Sequence, residues 1–165
     1  MPRSINDSAT SVTLSTLDRL IDDEPGTSTE VPLTRSQSVR RLKDALRRDL
    51  EWLLNTRRIA DPPSESLKEL NRSAYVYGLP DFTSFSLASP KDRLKLVRVL
   101  HSTVKLFEPR LANIRVVPLD EKLAGTRTLR FRIEGLLLMD PAPEQVSFDT
   151  VLELTSGEYE VQNAG

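Results

Sequence analysis

Covalent chemistry has few candidate residues in this chain. His101 is the only imidazole and cysteine is absent. That excludes thiolate nucleophiles, disulfides, and zinc centres built from several histidines or cysteines. A serine nucleophile needs a positioned base. The one histidine follows Leu100 at the border of a helical apolar stripe, where a half-buried packing role fits it. The six glycines, Gly26, Gly78, Gly125, Gly135, Gly157 and Gly165, are scattered, so the chain has no phosphate-cradling loop. Asp22-Asp23 and Asp120-Glu121 are adjacent carboxylates in loops and carry no specific signal. A glycosidase needs one buried acid and a second carboxylate across a cleft. Glu108, between Phe107 and Pro109, is the single candidate for the first. The expectation is a protein that is not an enzyme and uses neither cofactor nor metal.

What remains is ionic. Glu108-Pro109-Arg110 stands where a helix must give way to a strand within a few residues. Proline fixes that corner, and the planar five-donor fork of Arg110 suits a carboxylate or the carbonyls of a helix end. Two readings follow. The pair is presented outward to a partner from a rigid corner, or it ties off its own helix end.

The elements that position this corner are legible from periodicity. Val39, Leu42, Leu46, Leu50, Leu53 and Leu54 recur at helical spacing, which predicts a helix from near Gln37 to Asn55 with Arg40, Arg41, Lys43, Arg47 and Arg48 on its other faces. Pro62-Pro63 follows, and Ser64 is a candidate cap for a short helix reaching Leu70. Residues 75–85, with Gly78, Pro80 and several aromatics, read as a packed loop. Ser89 as cap, Pro90 at the first helical position and Asp92 in the first turn announce a second helix. Its stripe is Leu94, Val97, Leu100, Val104 and Phe107, and Pro109 cannot continue it.

Beyond Arg110 the period becomes two. Ile114 and Val116 alternate with Arg115 and Val117, as do Leu129, Phe131 and Ile133 with Arg130, Arg132 and Glu134. Gly135 interrupts the second strand and 136–139 is apolar throughout, which predicts a bulge or burial on both faces. Val146, Phe148, Leu152 and Leu154 share one parity. Ser156-Gly157 is a turn into a last strand with Tyr159 and Val161, placed at a sheet edge. Helices first and strands afterwards give an α+β class, with N-terminal helices on a mostly antiparallel sheet that ends in a C-terminal hairpin.

At 165 residues and 38% hydrophobic content the chain fits one domain with a tail. Residues 1–34 are expected to be a flexible acidic tail carrying a short amphipathic segment with Leu14, Leu17, Leu20 and Ile21, and residues 35–165 a single domain. Charge is nearly balanced, 23 bases against 24 acids, but segregated in blocks. Residues 7–30 hold six acids and one base, 35–58 eight bases and three acids, 91–115 seven bases and two acids, and 144–160 five acids and no base. Alternating blocks in a neutral chain suit docking to protein partners, and also fit plain solvated faces. A nucleic-acid partner is not expected: only Trp52 offers a stacking ring on the basic 35–58 stretch, and there is no basic excess. No apolar run reaches about 18 residues and no secretory leader is visible, so membrane insertion is not expected and a soluble intracellular protein is.

Four segments carry a resemblance. They are Leu17-Asp18-Arg19-Leu20 with its following acids, Arg48-Asp49-Leu50-Glu51-Trp52-Leu53-Leu54-Asn55-Thr56-Arg57, Tyr77-Gly78-Leu79-Pro80-Asp81-Phe82, and Glu108-Pro109-Arg110. Their order and spacing resemble the TssE family of type VI secretion baseplate subunits, relatives of the contractile-phage baseplate protein on which the tail sheath starts. The resemblance implies a domain like the handshake part of a sheath subunit, in about six copies around the inner tube by analogy with the family. Its partners would be baseplate wedge subunits and sheath proteins, and its location the cytoplasmic face of the inner membrane. It implies joining to sheath by strand addition, with Glu108, Pro109, Arg110, Trp52, Leu17 and Leu20 as partner-binding residues. A related fold also serves as an anti-adaptor that blocks regulated proteolysis of a sigma factor, the alternative reading.

Overall fold

The computed structural model describes residues 15–21, 26, 34–82, 89–119, 128–153 and 157–164. A short helix α1 (Thr16–Leu20) precedes α2 (Arg35–Asn55) and α3 (Pro90–Phe107); four strands follow, β1 (Leu111–Pro118), β2 (Thr128–Leu137), β3 (Glu144–Glu153) and β4 (Tyr159–Asn163). The expected α+β class is what forms. Leu14, the acids at 22–24, most of the 25–34 linker, residues 83–85 of the packed loop, Leu154 and Ser156 lie outside the described residues.

α2 begins two residues before the expected start because Thr34 and Gln37 form a reciprocal capping box, the Thr34 amide donating to Gln37 Oε1 at 2.9 Å. Leu42, Leu46, Leu50, Leu53 and Leu54 are buried as the stripe predicts, whereas Val39 at its upper end is only half-buried. α3 starts at Ser89-Pro90 and ends at Phe107 as its punctuation predicts. Leu100 and Val104 are buried and Phe107 packs against the core as the stripe predicts, but the face is rotated at its start. Leu96, Leu100, Thr103 and Val104 face the core, and Leu94 is 57% exposed against 1% for Leu96. At 100° per residue, Leu94 lies some 200° from Leu96, so the strip through Leu96, Leu100 and Phe107 wins the core.

The helix expected after Ser64 does not form. Residues 64–69 make turns, with 3₁₀ turns only at Leu70–Arg72 and Ala74–Val76. Leu67 and Leu70 stay exposed, so no buried face supports a helix. The Asn71 side chain instead donates to the carbonyls of Ser64 and Leu67 at 2.8 and 2.9 Å.

The strands form one antiparallel meander in the order β1-β2-β3-β4, ending in the expected hairpin. Leu129, Phe131, Ile133 and Leu137 of β2, Val146, Phe148 and Leu152 of β3, and Tyr159 and Val161 of β4 turn one face of the sheet to the helices. α2 covers the β4 side and α3 the β1 side. On the open face Arg132 holds Asp149 through two hydrogen bonds, of 2.6 and 3.0 Å. The irregularity expected at Gly135 belongs to the neighbouring strand. Register slips between Ala112 and Arg115, and Asn113 takes φ +52° there, while Gly135 stays paired with Val146. Gly135 lets the bulge approach, since a Cβ there would meet the Ala112 carbonyl oxygen at 3.2 Å.

The edges of the sheet follow from hydrogen-bond parity. Glu153 N–H donates to Glu158 and Ala164 N–H to Ser147, so Glu158, Glu160, Gln162 and Ala164 face β3. Tyr159, Val161 and Asn163 therefore present their backbone groups outward. Leu119 N–H donates to Arg130, which places Pro118, opposite Phe131, at an outward position of β1 where its missing N–H costs no ladder bond.

Candidate functional site

The four segments singled out in the sequence meet in space. α1 is capped by Ser15, which accepts from Asp18 N–H, and the Asp18 carboxylate accepts from Arg48 of α2 at 2.7 Å. Arg48 turns its other donors to Asp49, at 2.9 and 3.2 Å. Its guanidinium carbon also lies 5.0 Å from the centre of the Trp52 ring. The second oxygen of Asp49 accepts from Arg110 at 2.6 Å. Arg110 in turn grips Glu108 with two side-chain donors, at 2.6 and 2.5 Å. The result is an alternating chain of five charges, Asp18, Arg48, Asp49, Arg110 and Glu108, running from α1 across α2 to the corner between α3 and β1.

Local geometry makes the corner. Glu108 ends α3, its N–H donating to the Val104 carbonyl, and its own carbonyl accepts the Leu111 N–H as β1 starts. Glu108 is 4% exposed, Pro109 is exposed, and Arg110 is half-buried. Of the two readings of this pair, the tie is the geometry seen: the Arg110 fork closes on carboxylates of its own chain. Hydrogen bonding to Glu108 outweighs burial and holds Arg110 more firmly protonated than usual. Burial pushes Asp18 up, yet the hydrogen bonds from Ser15 and Arg48 and the charges of Arg48 and Arg110 leave it below the usual carboxylate range.

The third segment closes the site from the side. Tyr77 meets Phe107 edge to face, with ring centres 5.2 Å apart. Burial first, and then the charges of Asp49 and Glu108, push its hydroxyl upward in pKa, so it stays a neutral phenol at physiological pH. Gly78 stitches this segment to the end of α2: at φ +99° a Cβ would strike the Thr56 carbonyl oxygen, 2.2 Å away. That same oxygen accepts from Leu79 N–H at 2.8 Å, and Leu79 accepts from Arg58 N–H. A cleft of about 310 Å³ between Tyr77, Leu53, Asp49 and the corner marks the junction.

Among the expected partner-binding residues, Trp52, Leu17 and Leu20 are exposed, by 54, 55 and 77%. Arg48, touching both Asp18 and Trp52, brings them onto neighbouring surface. Glu108 and Arg110 lie behind them as the frame. Asp18, Arg48, Asp49 and Tyr77 complete the site but are not distinguished by residue type alone; the signal for them is their place inside the quoted segments. Among the described residues no group of three or more His, Asp or Glu side chains is placed to hold a metal ion, and no helix is long and apolar enough to cross a membrane. The arrangement is a rigid ionic frame beneath exposed apolar side chains, suited to holding a surface in shape.

Comparison with curated proteins and with solved structures gives no match. The family model described as baseplate wedge protein gp25 matches residues 40–142, from the second turn of α2 through the corner and β2 to the connection before β3. That stretch covers more than half of the chain and holds the Arg48, Asp49, Tyr77 and Arg110 network, so the chain belongs to the baseplate wedge protein gp25 family, whose members are structural parts of contractile injection baseplates.

Proposed function

We propose that this protein is a wedge subunit of a type VI secretion baseplate, present in about six copies by analogy with the family it resembles, and that it starts sheath polymerisation by strand addition. In this reading Leu17, Leu20 and Trp52 form the docking surface for another wedge subunit, and Glu108, Pro109 and Arg110 set its shape from behind. The protein acts in the cytoplasm, against the inner membrane, without enzymatic activity. The observation that carries the reading is the junction itself: the segments resembling the secretion-system subunits converge on one ionic frame beneath exposed apolar side chains. Aromatic and leucine side chains left uncovered beside a rigid frame are what a protein–protein anchor requires. Strand addition is supported by a four-stranded sheet whose outer strands are β1 and β4, since main-chain pairing gives directional, repeatable joining.

The test uses residues whose change spares the fold. Leu17→Ser, Leu20→Ser and Trp52→Ala together remove exposed side chains, and the thermal transition should move by no more than about 0.5 kcal/mol per site. Pull-down of wedge subunits and fluorescent sheath structures in cells should both be lost. Normal sheath formation by the triple variant would overturn the assignment of this surface.

A further inference from the structure

Between the first half of α2 and the start of β3 lies a cleft of about 760 Å³. Its floor is apolar, made by Val39 of α2 with Val146 and Phe148 of β3. Its rim carries Arg35 and Arg40, neither of which has an ion pair among the described residues, while Lys43 closes on Glu144 at 2.6 Å across one side and Asp44 accepts from the Asn163 side chain at 3.1 Å. The end of β4 forms one wall. There the outward parity turns the N–H of Val161 and both backbone groups of Asn163 away from β3, and none of the three makes a hydrogen bond among the described residues. The start of the same strand is closed: the Asn55 side chain takes both backbone groups of Tyr159, and Arg47 donates to the Val161 carbonyl.

We infer that this cleft accepts an extended segment of a partner protein that adds to β4 at Val161 and Asn163 and carries an apolar side chain and a carboxylate two residues apart. The inference rests on the strand-addition reading and names its entry point and side-chain chemistry. Each part of the site asks for one feature of the ligand. Unpaired backbone groups at a strand edge ask for an extended chain. Side chains two apart on such a chain point to the same face, so an apolar one can turn into the cleft toward Val39 while its neighbour meets a guanidinium. Two arginines without an ion pair among the described residues, in the first half of a 21-residue helix whose N-terminus is itself positive, ask for an acid. A basic or purely apolar segment would leave Arg35 and Arg40 facing like charge or nothing.

The probe is a capped, fluorescently labelled octapeptide Thr-Val-Thr-Glu-Thr-Val-Thr-Glu, titrated against the full chain by anisotropy, with the Lys-for-Glu peptide as its counterpart. The acidic peptide should bind saturably and the basic one should not. Arg35→Glu with Arg40→Glu should weaken binding about tenfold or more. Asn163→Pro, which removes an outward N–H, should abolish binding and leave the melt unchanged. The pair Arg98→Glu and Lys105→Glu makes the same charge change on α3 and should leave binding intact. Failure of the acidic peptide to bind, equal binding of both peptides, or equal loss with the α3 pair would overturn the inference. Normal sheath assembly in cells by a folded Arg35→Glu, Arg40→Glu protein that no longer binds the peptide would overturn the cleft as the entry point and leave the wedge assignment standing.

Discussion

Arg110 is the residue on which the corner turns, and its replacement separates an internal tie from a free partner contact. The Glu108 side chain is 6% exposed and the Arg110 side chain 26%. Arg110→Ala would strand a buried carboxylate, a change that costs about 3 kcal/mol at the low end of the range for a buried pair broken on one side. Lysine should not rescue it, because a point charge cannot reproduce two donors to Glu108 and one to Asp49. Adding Glu108→Ala to Arg110→Ala should restore part of the loss, the mark of direct coupling in a double-mutant cycle. A melt unchanged by Arg110→Ala would show the tie to be worthless to the fold. Asp18 makes the second residue-scale case. Its folded pKa lies below the ordinary 3.8, so its contribution is complete above that value and is lost as pH falls through the lowered one. Its side chain is 8% exposed, but losing the carboxylate strands no charge, because Arg48 keeps its pairing with Asp49, so the contact is worth about 1 kcal/mol or less. Amide exchange across α1 should therefore be weakly protected near neutrality, and Asp18→Asn should remove that protection at every pH. Protection that persists in Asp18→Asn would mean that Leu17 and Leu20, not the ion pair, hold α1 in place.

For the elements, the discriminating position is on α3. Leu96→Ala should cost about 2–5 kcal/mol as a cavity in the core, and Leu94→Ala no more than about 0.5 kcal/mol; chemical denaturation of the two variants reads the helix face directly. Leu94, Val97 and Leu100 match helical spacing as well as Leu96, Leu100 and Phe107 do, and only the packing of α3 against β1 decides between them. Caps were more legible than faces, because Ser89-Pro90 is a local signal and a buried face is a tertiary outcome. The strands were legible for a similar local reason, since alternation marks which side is buried. The bulge was legible only as to place. Gly135 points to a bulge or to burial on both faces, but the extra residue lies in β1, where nothing marks Asn113. The site shows the same division. Glu108-Pro109-Arg110 stood out as an ionic corner, yet its third partner, Asp49, is 61 residues away, and no spacing rule reports a contact of that range. The last strand lies at an edge as its sequence predicts, but which of its backbone groups face outward follows only from the register: Glu160 faces β3, so Glu160→Pro breaks the ladder where Asn163→Pro does not.

Across the whole molecule α2 is the element that holds the other parts in register. Its side chains reach β3 through Lys43 and Glu144, β4 through Arg47 and Asn55, and the α3–β1 corner through Asp49. Asn55, the last residue of α2, matters most for the state of the protein in solution. Its amide donates to the Tyr159 carbonyl and accepts from the Tyr159 N–H, both at 2.8 Å, much as a neighbouring strand would. Without it the first half of the β4 edge offers unpaired groups to any extended chain, including a second copy. Asn55→Ala should therefore cost about 1–2 kcal/mol, the value of two hydrogen bonds, and also make the protein associate with itself as concentration rises. Asn55→Asp keeps the acceptor and loses the donor, so it should fall between the two. Sedimentation across a concentration series, read beside hydrogen exchange at the Tyr159 amide, tests both halves of this expectation. If Asn55→Ala remains monomeric with the Tyr159 amide still protected, some other group closes that edge, and α2 does not guard the sheet as its contacts indicate.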